Sequence, residues 1–173
     1  AAYCAKYLAG LGADVIKVEP PGGDSNRYRG PFAGDIDDLE RSVPFLNANI
    51  GKRSIVLDLN EQGDLNVFKD LLRHADLFID GTAPGELASL GLSNEDLLLL
   101  NQGLVSVSLT PFGQSGPYKD YLANDAIISA MSGLSASQGD DAFPPVMPPT
   151  EIGTQLAGIH GAYLGLAGIR HTR

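Results

Sequence analysis

Apolar residues fall into two kinds of run along this chain, short β-branched blocks and longer stretches with helical spacing, and the two kinds alternate. The blocks "DVIKVE" (14–19), "RSIVLDL" (53–59), "DLFID" (76–80) and "GLVSVSLT" (103–110) have the length and side chains of strands. After the second block, Leu65, Phe68, Leu71 and Leu72 share one face of a helix over 60–75, with Asn60 as the expected N-cap. Shorter helices are predicted over 85–91 and 94–101, the latter capped by Ser93 with acids in its first turn. Residues 1–10 read as a helix ended by Gly10 or Gly12, residues 124–135 as another, and 151–170 as a long helix rich in small residues. "FPPVMPP" (143–149) is predicted to be a rigid extended loop. This alternation predicts an α/β fold with a Rossmann-like parallel sheet and flanking helices. Ligands of open α/β sheets bind at the carboxyl ends of the strands. The Gly- and Pro-rich loops at 20–34 and 111–118 follow strands and are expected to line a site.

Composition narrows the possible partners. The chain of 173 residues is long enough for one domain with a substantial core. Its formal net charge of -9 argues against a nucleic-acid or anionic-membrane surface, yet leaves room for a small anionic ligand held by local basic groups. One cysteine, Cys4, permits no intrachain disulfide and no cysteine-based metal cluster, so no metal is expected and a cytoplasmic location fits. No apolar run is long enough to span a membrane. "AAYCAKYLAGLG" reads as a helix entered partway along, so the natural N-terminus is expected to lie upstream.

Five basic residues offer themselves to an anion: Lys17 in the first strand, Arg27 and Arg29 in the loop after it, and Lys52 with Arg53 before the second strand. Arginine forks and lysine point charges suit phosphates. Solvated loop charges are the competing interpretation. The loops carry neither a Walker A sequence nor a GxGxxG fingerprint, so an ATPase or an ordinary NAD enzyme is not signalled.

Six ordered blocks carry a more specific signal: "LGADVIKVEPPGGDSNR", "GPF", "NANIGKRSIVLDL", "ADLFIDGTAPGELASLGLS", "LVSVSLTPFGQSGPY" and "AMSGLSASQG". Together they resemble the N-terminal half of a family III CoA-transferase, the CaiB/BaiF group, which includes formyl-CoA transferase and alpha-methylacyl-CoA racemase. The resemblance implies that residues 1–173 are the N-terminal part of a large CoA-binding domain, in a longer chain that forms an interlocked homodimer. It implies coenzyme A, as acyl-CoA, and a carboxylic acid as substrates. It also implies a covalent carboxyl-CoA intermediate on an acid near the start of a helix, and Glu151 stands at that position. The alternative for Glu151 is an ordinary acid in the first turn of a helix. Asp125 matches an acidic position near the family's active site. Gly133, in "GLSASQG", matches a flexible glycine loop over the intermediate. Lys17, Arg27, Arg29, Lys52 and Arg53 remain as candidates for CoA.

The departures from the family pattern leave alternatives open. Gly81, Thr82 and Ala83 stand where polar, aromatic and basic CoA contacts are usual, and Ser89 where an arginine often sits. A catalytically degenerate domain, for example a scaffold half of a tandem fusion, is therefore one alternative. Acyl-CoA racemisation is another, weakened because Asn124 replaces the histidine of its acid/base pair and cannot exchange a proton near neutral pH. His160 on the long helix is expected to be a packed core residue, and His74 a surface residue at a helix C-terminus.

Overall fold

The computed structural model describes residues 1–140, 142–148 and 151–172. Among these residues four short strands, β1 (Ile16–Glu19), β2 (Arg53–Val56), β3 (Leu77–Asp80) and β4 (Val105–Ser108), fall inside the four β-branched blocks. All pairing between them is parallel. It occurs in two two-stranded pairs, β1 with β2 and β3 with β4, rather than in one continuous ladder.

Among the described residues seven α-helices accompany them: α1 (Ala2–Gly10), α2 (Val43–Asn49), α3 (Gln62–His74), α4 (Glu86–Ser89), α5 (Asn94–Leu100), α6 (Asp125–Met131) and α7 (Ile152–Thr172). The segment 143–148 carries no helix or strand, while Pro149 lies outside the described residues. Ser93 caps α5 in a full capping box with Asp96. The cap of α3 differs from expectation. Asn60 does not cap it; Asp58 accepts the Asn60 N–H at 3.0 Å and Asp64 reaches back to the Asp58 N–H at 2.8 Å, so two aspartates organise the turn and the helix begins at Gln62.

The core is divided between the two faces of the strands. Leu65, Phe68 and Leu72 of α3 meet Leu92, Leu97 and Leu104, with Val18, Ile55 and Phe78 packed against them. On the other side Cys4 and Leu8 of α1 meet Ala162 of α7, with Leu77, Ile79 and Leu109 against them. Within β3, Phe78 thus serves one layer while Leu77 and Ile79 serve the other, the two-residue period of a strand covered on both faces.

Glycines on α7 let it lie close against its neighbours. A Cβ at Gly158 would stand 2.7 Å from Tyr3 Cβ, 2.9 Å from Cys4 N and 3.0 Å from Tyr3 C. Two of those atoms are backbone and cannot turn aside. Gly158→Ala is therefore expected to lower stability by about 1–3 kcal/mol through overpacking. Urea denaturation checks this, and an unchanged midpoint would mean that α1 and α7 slide apart freely.

Candidate active site

The loop after β1 is organised around a buried acid. Glu19 ends the strand and is 1% exposed. Arg27 grips it as a fork, Nε donating to Oε2 at 2.7 Å and Nη2 to Oε1 at 3.0 Å. The Ser54 hydroxyl donates to Oε1 at 2.6 Å, and the Asp24 N–H to Oε2 at 2.9 Å. The Arg27 hydrogen bond leads in holding the Glu19 carboxyl down at about 2, against the burial that would raise it. Arg27 Nη1 also donates to Glu40 Oε1 at 2.7 Å, and its guanidinium lies 3.8 Å from the Phe45 ring centroid. Lys17 pairs with Asp24, which in turn caps the 3₁₀ turn Ser25–Tyr28.

The helix α2, which lies outside the elements predicted from the sequence, supplies the other wall. Ser42 caps it, accepting the Phe45 N–H at 3.3 Å, and its hydroxyl lies 2.7 Å from the Asn26 carbonyl and 2.6 Å from that of Arg29. A readable signal existed, since "SVP" offers a serine cap and a proline in the first helical turn. The buried Glu19–Arg27–Ser54 network had no comparable signal, because an acid ending an apolar strand looks the same whether buried or solvated.

Two residues past Arg27, the loop delivers Arg29 to the start of α7. Its Nη2 donates to Glu151 Oε1 at 2.8 Å, across 122 positions of sequence, and its Nη1 to Asn26 Oδ1 at 3.0 Å. Glu151 stands immediately before α7 rather than within its first turn, and its carbonyl accepts the first helical N–H, from Gln155, at 3.0 Å. Asp125, the first residue of α6, reaches the same helix end. Its Oδ1 accepts the Thr154 N–H at 2.7 Å and the Thr154 hydroxyl at 3.0 Å. Gly153 makes room for this contact, since a Cβ there would lie 2.9 Å from that oxygen. Gly133, at φ 80°, lines a shallow depression with Ile128, Leu134, Gly153 and Leu156 beside these groups.

The structure therefore gathers Arg29, Glu151, Asp125 and Gly133 around the N-terminus of α7. It sets the other basic candidates elsewhere. Lys17 and Arg27 are tied into ion pairs at the base of the loop. Lys52 precedes β2 and donates to the Ala2 carbonyl, the Ala48 carbonyl and Asn49 Oδ1, each at 2.8 Å. Burial lowers its ammonium to about 8. Arg53 opens β2, at the amino end of the pair, in an exposed ion pair with Asp14.

Of the histidines, His74 lies exposed in the last turn of α3, as expected, whereas His160 is exposed rather than packed, its Nδ1 2.8 Å from the Leu156 carbonyl. The reason is that the glycine face of α7, not the histidine face, meets α1. Asn124 caps α6 through the Ile127 N–H at 3.1 Å.

A second recess lies at the carboxyl ends of β3 and β4. Asp80, Thr82, Gly85, Ser93 and Ser108 line it, together with Glu95. Asp80 accepts the Thr82 N–H at 2.8 Å, while the Thr82 hydroxyl is buried without a partner among the described residues. No lysine or arginine is among the described residues of its wall. Among the described residues no helix is long and apolar enough to cross a membrane.

Comparison with known proteins matches this architecture to one family. The sequence fits the model of CoA-transferase family III over residues 1–173. It is 41% identical over 92% of its length to the succinyl-CoA:(R)-benzylsuccinate CoA-transferase subunit BbsE of Thauera aromatica, covering 39% of that protein. It is likewise 41% identical over 94% of its length to the acetyl-CoA:oxalate CoA-transferase of Acetobacter aceti, covering 40% of that protein. The crystal structure of a CaiB/BaiF family protein from Brucella suis superposes with a TM-score of 0.91 at 31% identity, over 98% of this chain and 45% of that one. The chain thus spans about two-fifths of the length of the two curated relatives described. By fold and sequence alike, it belongs to CoA-transferase family III.

Proposed function

We propose that the full-length protein moves CoA between carboxylic acids, with the Glu151 side chain carrying a covalent carboxyl-CoA intermediate. The observation that supports this most directly is the seat of Glu151, a part-exposed carboxylate at the N-terminus of a 21-residue helix, held through one oxygen by Arg29. Helix N-termini favour negative charge, and carboxylates can serve as covalent nucleophiles. The relatives named as CoA-transferases support the reaction class.

In this reading a Glu151 oxygen attacks the acyl-CoA carbonyl, the C–S bond breaks, and a mixed anhydride and CoA thiolate result. The thiolate then attacks the Glu151 carbonyl carbon, leaving a glutamyl-CoA thioester and expelling the donor acid as its carboxylate. An acceptor carboxylate reverses both steps and departs as acyl-CoA, with Glu151 restored. One negative charge is conserved throughout. Asp125 contributes position, because its bonds to Thr154 tie α6 to the helix end that carries Glu151. Gly133 borders the same surface.

For CoA itself the basic candidates differ in availability. The Arg53–Asp14 pair is exposed on both sides, and such pairs contribute about 1 kcal/mol or less, so a phosphate can displace it. The Arg27–Glu19 pair is buried and resists exchange.

The test is chemical trapping. Full-length protein incubated with succinyl-CoA and then hydroxylamine is expected to carry a hydroxamate on the peptide containing "TEIGTQ", read by mass spectrometry. Turnover without any adduct on Glu151 would overturn the reading.

A further inference from the structure

We propose that Arg29 seats the carboxylate of the CoA-accepting acid, and that conversion of Glu151 to its uncharged thioester is what frees it to do so. This rests on the reading of Glu151 as the carrier of the intermediate. Among the described residues Arg29 is the one cationic side chain bonded to the Glu151 carboxylate, at 2.8 Å. A guanidinium keeps its charge in every state of the cycle. Glu151 does not: as anhydride or thioester it is neutral. Loss of that charge leaves Nη2 of Arg29 facing an uncharged carbonyl, and a free carboxylate becomes its best partner.

The surroundings suit such an exchange. The root of Arg29 is fixed, with its carbonyl 2.6 Å from the Ser42 hydroxyl and its N–H donating to the Asn26 carbonyl at 3.2 Å. Nη1 stays oriented by Asn26 Oδ1. The side chain itself is 55% exposed, so a soluble acid can reach it. An acid held by Nη2 lies beside the carbon that Glu151 Oε1 is bonded to, which is the carbon it must attack. The cycle then closes on itself. Acceptor oxygen bonds to the Glu151 carbonyl carbon, the C–S bond breaks, and the thiolate next attacks the acceptor carbonyl. Glu151 leaves as a carboxylate, re-forms its pair with Arg29 and withdraws the seat from any further acid. Arg29 is thereby assigned to the substrate carboxylate rather than to a CoA phosphate.

The experiment uses full-length protein and separates the two half-reactions. The thioester is formed with succinyl-CoA, then discharged with acetate, oxalate, succinate or glutarate, and the half-saturating concentration is measured for the acid that discharges it fastest. Arg29→Gln is expected to raise that concentration about 10- to 100-fold, the worth of a hydrogen bond to a charged group. Arg29→Lys should recover part of the loss. If the half-saturating acid concentration is unchanged while adduct formation slows, Arg29 serves only the nucleophile and the proposal falls alone. If wild-type protein forms no adduct on Glu151, the proposal falls together with the reading beneath it.

Discussion

Glu151→Gln in the full-length protein is expected to abolish covalent labelling by acyl-CoA and to reduce turnover by about 10⁴-fold or more, the scale of losing a nucleophile. Glutamine keeps the shape and an amide oxygen that can still accept from Arg29 Nη2, so the loop and α7 should remain in place. Thermal unfolding is expected to change little, which separates lost chemistry from lost structure. Glu151→Asp refines the result. It withdraws the carboxylate by one methylene from a position fixed by the Gln155 N–H on the Glu151 carbonyl. A displacement near 1 Å can cost about 10²-fold, so Asp should be slower than Glu if the site is built for the longer side chain. Normal turnover with Glu151→Ala would place the nucleophile elsewhere and leave this segment a scaffold.

Removal of the Arg27 side chain should have the largest effect on stability. Glu19 is 1% exposed, and Arg27→Ala would strand its carboxylate in the interior, a loss of about 3–5 kcal/mol. The pH dependence follows from the depressed carboxyl. Glu19 is held at about 2 when folded against 4.5 as its ordinary value, so the folded protein binds fewer protons between these limits. Its contribution is fully present above pH 4.5 and is lost as the pH falls toward 2. Arg27→Ala should therefore lose most stability near neutrality and lose little more on acidification in this range. Urea denaturation at pH 7 and at pH 3 checks both points. Equal losses at the two pH values would show that the pair contributes through packing on Phe45 rather than through charge.

The periodic parts of this fold were legible because burial on both faces leaves a plain mark. "DLFID" is apolar on successive residues, since Phe78 faces α3 while Leu77 and Ile79 face α1 and α7. The loop after β1 drew attention as a candidate site by its place at a strand's end. What it holds was not. Arg27 and Arg29 look equivalent in "NRYRG", yet one is spent on Glu19 and the other meets Glu151. That division depends on which acids the fold brings near, and local sequence carries no record of partners 122 positions away. His160 escaped for a related reason: the five glycines of α7 set which face meets α1, and neither face is polar enough to declare itself.

The loop network has a further consequence for the order in which the molecule is assembled. Every partner that fixes Arg27, from Glu19 and Glu40 to Phe45, and the Ser54 hydroxyl on Glu19, lies within the first third of the chain. Glu151 is polymerised 122 residues after Arg29, an interval on the order of ten seconds at ordinary ribosomal speed. The basic half of the site can thus be complete while its acidic half has yet to be made. The finished loop waits on the emerging chain, and α7, synthesised later, brings Glu151 to a cation already in position.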